Sequence, residues 1–439
     1  MRCEEISPTL AFFAMRPLTL LIVTAVTAAP LAAQTASGDR ARRIADEVRF
    51  LAADSLMGRK TCEPGNGLAA RQIAATLRGA RLDPGGDSGS FFQGWTVGNT
   101  SGTREAGVAG CTTMNVVGVL PGRGALRFQP LILGAHFDHL GTGRFGSLAP
   151  DSGRVHHGAD DNASGTAMVL ELARLMREDD ALRNAPARRP LVFALFSGEE
   201  EGDLGSTWFA EHPPAPRDSV LAYLNFDMVG RLRERKLLVL GVRTAAEWPA
   251  LIDSVNAAAH LDVRASGDGW GPSDHASFYA KRIPVLHFFT DLHTDYHRPS
   301  DTADLIDADG MVQVADLAAD LTRRLATRPA RLTFVDLPPP APTAAGSGRP
   351  RPSLGTIPDM SDEPGGVKLS GVRAGSPADS AGLRAGDVLI ALGGAPVANL
   401  QDFQNALMQH QAGDRVEIRF RRGDQTLTVV ATLGGRPAN

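Results

Sequence analysis

Five short clusters hold the side chains with the capacity for bond chemistry: His136-Phe137-Asp138-His139, the turn GADDNASG containing Asp160 and Asp161, Ser197-Gly198-Glu199-Glu200-Glu201-Gly202, Asn225-Phe226-Asp227, and Asp295-Tyr296-His297. A histidine with a carboxylate two residues later suits metal ligation, because one ring N–H can donate a hydrogen bond to Asp138 and leave the other nitrogen free for a cation. A surface His-Asp pair is the plainer alternative. The GADDNASG turn opens a helix that Asn162 or Ser164 can cap, but capping does not require two consecutive aspartates. Glu199, Glu200 and Glu201 end an apolar run, where adjacent carboxylates repel one another unless a positive partner sits among them. Asp227 ends another apolar run, a costly place for an unpaired acid. Two histidines and three carboxylates from separate elements suit zinc or a similar divalent transition metal. Calcium, which favours all-oxygen shells, suits them less, and two metals sharing a carboxylate fit well.

The elements that must position these groups are legible around them. The runs LILGA, PLVFALF, VLAYLNF and IPVLHFF precede His136, Ser197, Asp227 and Thr290. Unbroken apolar runs of that length read as strands buried on both faces. Between them, GTAMVLELARLMRE and AAEWPALIDSVNAAAH repeat apolar residues at three- and four-residue spacing, the pattern of amphipathic helices. Strands alternating with helices predict an α/β sheet covered on both faces, with ligands beyond the carboxyl ends of the strands. The clusters sit where that rule expects a ligand site.

In this order, HFD, GADDNASG, SGEE, NFDMVG and YHRPSDT closely resemble the co-catalytic di-zinc aminopeptidase family. The resemblance runs from about Ile44 to Thr327. It implies a mixed central β-sheet flanked by helices, the zinc exopeptidase fold, and two Zn2+ ions per chain. Carried over residue by residue, it makes His136, Asp160 and Asp227 ligands of one zinc, and Asp160, Glu200 and His297 ligands of the other. Asp160 would bridge and Glu199 would be the general base. Tyr296, beside His297, would help to stabilise an oxyanion or would simply pack. Asp138 would support His136. The resemblance also implies a cis peptide bond between Asp160 and Asp161. Ser273-Asp274-His275 resembles a family segment near the substrate pocket and is left outside the expected site.

The remaining sequence sets the context. With 439 residues, 43% hydrophobic and 21% charged, the chain is long enough for two domains and too apolar for disorder. Its formal charge of −4 argues against nucleic acid as a partner. LTLLIVTAVTAAPLAA reads as a secretory signal ending near Ala33, with Met15 as an alternative start of translation, and leaves no membrane span in the mature chain; an uncleaved membrane anchor is the alternative reading. A secreted or periplasmic location follows. The mature chain keeps Cys62 and Cys111, which form a disulfide in an oxidising compartment or remain two buried thiols. The expected domains are a signal over 1–33, a metallopeptidase over 39–336, a Pro/Ala/Gly-rich linker over 337–352 and a small domain over 353–436. The last contains Ser376-Pro377-Ala378 and Gly382-Leu383-Arg384-Ala385-Gly386-Asp387, a run that resembles a PDZ domain. A peptide or protein C-terminus at the loop Leu354–Ile357 is the partner such a domain implies. The functional expectation is a secreted zinc exopeptidase, most simply an aminopeptidase acting on peptides. A glutaminyl cyclase and a non-catalytic PDZ-bearing scaffold are the alternatives. No motif reports the preferred N-terminal side chain, the native metal or the oligomeric state.

Overall fold

The structure is a computed structural model that describes residues 25–149, 153–339, 351–361 and 363–436. Residues 1–24 of the expected signal segment and 340–350 of the expected linker lie outside the described residues. The helix Ala25–Leu51 crosses the expected cleavage position.

Nine strands form the larger sheet: β1 (Asp83–Pro84), β2 (Phe92–Thr96), β3 (Thr112–Leu120), β4 (Leu131–His136), β5 (Leu191–Phe196), β6 (Ala222–Phe226), β7 (Lys236–Leu240), β8 (Asp262–Ser266) and β9 (Val285–Phe289). Their order is β1-β3-β5-β4-β6-β9-β7-β8, with β2 also paired to β3. The middle four, β5-β4-β6-β9, are mutually parallel, while β3 and β7 run antiparallel to their inner neighbours. The sheet is therefore mixed, as expected.

Alternation along the apolar runs explains why they are unbroken. In β4, Leu131, Leu133 and Ala135 join one core and Ile132 joins the other; in β5, Leu191, Phe193 and Leu195 face one side and Val192, Ala194 and Phe196 the other. Side chains two apart share a face, so both faces need apolar residues when both are covered. One face is covered by Ala25–Leu51, Pro64–Gly79, Gly165–Glu178, Trp248–Ala259 and Ala308–Thr327. Leu204–Glu211 and His275–Tyr279 cover the other, with Phe209 and Phe278 among their buried residues. The first helix is tied down by Arg40 and Arg43, which reach the fully buried Glu171 at 3.1 and 2.9 Å.

Register places the functional clusters at one level. His136 lies opposite Phe196 of β5, and Gly134 lies opposite Asn225 of β6, which sets His136 level with Asp227. Cys62 and Cys111 are joined in a disulfide that ties the segment before Pro64–Gly79 to the start of β3.

The smaller domain carries a six-stranded sheet with the edge strand Thr356–Pro358 and the helix Leu400–Met408. Its core is built from residues such as Leu369, Leu389, Phe403, Ile418 and Phe420. The buried Asp387 carboxylate accepts from Arg422 Nε at 2.7 Å and from the Arg384 amide at 2.9 Å, so the GLRAGD run is chiefly architectural. This domain packs on the larger one through Asp291. Its carboxylate accepts from Lys236 Nζ at 2.7 Å, Ser370 Oγ at 2.9 Å and the Met360 amide at 3.2 Å.

Gly165 starts a helix pressed against the end of β6. A Cβ there would lie 2.1 Å from the Phe226 carbonyl oxygen and 2.3 Å from Asn162 Oδ1. Glycine to alanine within a free helix stabilises by up to about 1 kcal/mol, but here the added methyl must move backbone, a cost of about 1–3 kcal/mol. Gly165→Ala is therefore expected to lower the denaturation midpoint; an unchanged or raised midpoint in urea would contradict this close approach.

Candidate metal centre

The turn after β4 and the turn after β5 are held together by one carboxylate. Asp138 accepts the backbone N–H of Glu199 and of Glu200, each at 3.3 Å, and the Thr61 hydroxyl at 3.2 Å. Its oxygen stands 3.7 Å from His136 Nδ1, longer than a hydrogen bond. The expected support of His136 is thus a proximity, and the stronger work of Asp138 is to clamp the two glutamates at the strand end.

Asp161 stands where two groups of donors meet. His136 Nε2 lies 3.4 Å from Asp161 Oδ1 and 3.4 Å from Asp227 Oδ1. On the other side, His297 Nε2 lies 3.2 Å from Asp161 Oδ2 and 3.1 Å from Glu200 Oε2. His136, Asp161 and Asp227 form one group able to hold an ion, and His139, Asp161 and Glu200 form another. Glu199 comes within 3.9 Å of His136 Nε2.

Asp160, the expected bridging residue, lies outside both groups. Its Oδ1 accepts the Gly230 amide at 2.7 Å and the Ser164 hydroxyl at 2.9 Å, and its Oδ2 lies 3.1 Å from His293 Nε2. The cis bond is likewise one residue later than expected, between Asp161 and Asn162. Neighbouring aspartates in an irregular turn point in different directions. Asn162 decides which one faces the strands, because its Oδ1 accepts the Gly165 amide at 2.8 Å while its Nδ2 donates to the Phe226 carbonyl at 3.0 Å. The same Oδ1 thereby satisfies the first amide of the helix Gly165–Glu178.

Three residues of the arrangement escaped the sequence reading. His139 Nδ1 sits 2.7 Å from Glu200 Oε1 and orients that carboxylate. Ser273 donates to Asp227 Oδ2 at 2.8 Å, so the Ser273-Asp274-His275 segment does reach the centre; its signal was the motif itself. Asp274 and His275 are buried nearby. His293, the partner of Asp160, had no signal beyond its type. Tyr296 stacks on His297 with ring centroids 3.9 Å apart and lines a cavity of about 230 Å3 with Asp161, Glu199 and Asp227.

The electrostatics show what this centre can hold. His136 Nδ1 and Nε2, Asp161 Oδ2 and Asp227 Oδ1 are buried without a hydrogen-bond partner among the described residues. Burial, and then the Glu200 charge, push the Asp161 carboxyl up to about 7. Burial also drives Glu199 well above the carboxylate range, helped by Asp203 and Glu200. For His297, burial alone would lower the pKa, but Glu200 and Asp161 outweigh it and raise it to about 10. Unpartnered imidazole and carboxylate donors converging on two places fit zinc ions, and the mixed N/O set is the one zinc accepts. His297 Nδ1 donates to the Gly146 carbonyl at 2.9 Å, so Nε2 is the nitrogen that would face a cation.

Residues 115–322 match peptidase family M28, and residues 352–433 match the PDZ domain. Over that stretch the larger domain is similar to family M28. Leucine aminopeptidase 1 of Uncinocarpus reesii is 31% identical over 225 residues, covering 48% of this chain and 54% of that protein. The chain thus spans about half the length of that curated relative. A zinc aminopeptidase from Bacillus subtilis shares the fold with a TM-score of 0.51 at 16% identity, covering 66% of this chain and 96% of that one. A glutaminyl cyclase from Porphyromonas gingivalis does so equally, with a TM-score of 0.51 at 17% identity over 64% of this chain and 96% of that one. The fold alone therefore does not choose between these chemistries.

Raised pKa values at Asp161 and His297 mean that the metal-free folded state binds more protons than the unfolded chain. Stability from each group is present below the unfolded value and is lost as pH rises, through about 7 for Asp161 and about 10 for His297. The chelator-treated protein is thus expected to melt lower at pH 8 than at pH 6, with the difference shrinking when zinc is restored. Equal melting temperatures at both pH values without metal would contradict the charge arrangement described.

Proposed function

We propose that this protein is an exported zinc-dependent aminopeptidase that removes N-terminal residues from peptides through a two-metal centre. The observation that carries the reading is the convergence of His136, Asp161, Asp227, Glu200 and His297 around one shared carboxylate, with Glu199 at its edge. His136, Asp161 and Asp227 would hold one zinc; Asp161, Glu200 and His297 the other. Zinc ions held there supply Lewis acidity toward a peptide carbonyl and lower the pKa of water. Glu199 takes a proton from the attacking water at its carboxylate and returns it to the departing amine. Tyr296, stacked on His297 and facing the same cavity, donates its hydroxyl to the oxyanion. Ser273 and His139 hold Asp227 and Glu200 in place, and Asp138 keeps both glutamates at the strand end.

The test compares metal-stripped and zinc-restored protein on leucine p-nitroanilide, on leucyl peptides and on the same compounds with acetylated amines. Turnover is expected only with zinc and only with free amines. Glu199→Gln is expected to keep both metals by elemental analysis yet lose about 10²–10⁴-fold in kcat. Asp161→Asn is expected to lose metal, whereas Asp160→Asn retains it. Cleavage that ignores acetylation, or pyroglutamyl product from glutaminyl peptides, overturns the aminopeptidase reading. Full metal content in Asp161→Asn overturns the shared-ligand assignment.

Export is supported by the apolar segment before Gln34 and by the Cys62–Cys111 disulfide, a bond that persists in oxidising compartments. N-terminal sequencing of protein recovered outside the cytosol is expected to begin at Gln34; recovery from the cytosol alone refutes this part.

A further inference from the structure

The PDZ domain does not stand apart from the metal centre. The cavity that holds Asp161 and Glu199 is bordered by Pro358, Met360, Leu400 and Gln404 of the smaller domain. A second groove of about 240 Å3 lies between the edge strand Thr356–Pro358 and the helix Leu400–Met408, lined by Leu354, Ile357, Phe403 and Leu407. Leu292, Tyr296, Pro358, Leu400 and Gln404 border both spaces, so the groove and the cavity adjoin across a shared wall.

Polarity makes this junction informative. The strand Thr356–Pro358 pairs with Val367–Val372 on one side and ends the sheet on the other, leaving an edge on which a peptide can add as a strand. Its first residues follow the Leu354-Gly355 loop. Gly355 has a φ of +78°, and a Cβ there would lie 2.3 Å from Ser376 Cβ, which presses the loop into a fixed orientation. Arg373 lines the same end and brings positive charge to it. The other end of the strand, Pro358, borders the metal cavity. An antiparallel peptide with its carboxylate at Leu354-Gly355 therefore points its amino end toward Glu199. On the helix, Leu400 and Gln404 border both spaces, while Phe403 and Leu407 border the groove alone.

We propose that the groove holds the C-terminal part of the same peptide whose N-terminus lies in the metal cavity. The enzyme then measures its substrate from both ends and prefers short peptides with a free terminal carboxylate. This rests on the aminopeptidase reading and adds the substrate class to it. Hydrolysis needs no further reactant, since water adds across the amide and the proton passes to the released amine.

The experiment uses the full zinc-loaded chain and a series of leucyl-alanine peptides of increasing length, each as the free acid and as the C-terminal amide. At the best length, kcat/KM is expected to be at least tenfold higher for the acid, and to fall again for longer peptides. Leu407→Glu, which sets a negative charge in the groove, is expected to bring the acid-to-amide ratio toward one; circular dichroism and melting establish that this variant is folded. Independently of turnover, fluorescence anisotropy with the metal-free full chain is expected to show at least tenfold tighter binding of a side-chain-labelled acid than of its amide. Equal rates and equal binding for acid and amide overturn the proposal while leaving the aminopeptidase reading intact, as does an unchanged ratio in Leu407→Glu. Undiminished cleavage of long peptides beside tight carboxylate binding also overturns it, because the groove would then serve a different protein's C-terminus. No turnover of leucine p-nitroanilide by zinc-loaded protein overturns both.

Discussion

The constraint on which this molecule turns is the crowding of buried carboxylates at one end of a parallel sheet. Asp161, Glu199, Glu200 and Asp227 meet where little water reaches, and charge there must be neutralised by protons or by cations. In the absence of metal, protons and the imidazolium of His297 do part of that work. Divalent cations held among these donors would neutralise the same charge, as the proposed function requires.

The rest of the fold serves that crowding. Four parallel strands end together because their unbroken apolar runs are buried on both faces, and the turns that follow carry one or two ligating residues each. Second partners hold those residues at fixed angles. Asp138 clamps the glutamate turn, Asn162 joins the aspartate turn to β6, and Ser273 reaches across to Asp227. Asp160 belongs to this supporting set: with Gly230, Ser164 and His293 as partners, its carboxylate is consumed by structure. Such partners orient metal ligands and tune them, so they matter to chemistry without touching the ion.

The two domains meet through the buried Asp291, which joins Lys236 of the sheet to Ser370 and Met360 of the PDZ domain. Charge-assisted hydrogen bonds around a buried carboxylate give a directional junction rather than a loose tether. That junction sets the PDZ groove beside the metal cavity. A domain that resembles a peptide-binding module thereby becomes part of the wall of the proposed active site.

The primary structure by itself determined the sheet-and-helix architecture, the four central strands, the helix Gly165–Glu178 and the five clusters, because each is written in local periodicity and in residue type. It also carried the PDZ signature, since turn geometry demands the glycines and the aspartate of GLRAGD. Only the tertiary structure decided that Asp161 rather than Asp160 faces both donor groups. Adjacent residues in a turn are distinguished by backbone dihedrals and by Asn162's contacts with β6, distant in sequence. The same holds for Asp138, which spacing assigned to His136 and packing gave to the Glu199–Glu200 turn, and for Ser273, His139 and His293, whose partners lie far along the chain. How the PDZ groove meets the cavity could be read from no motif, because relative domain placement depends on surface contacts that short-range patterning does not encode.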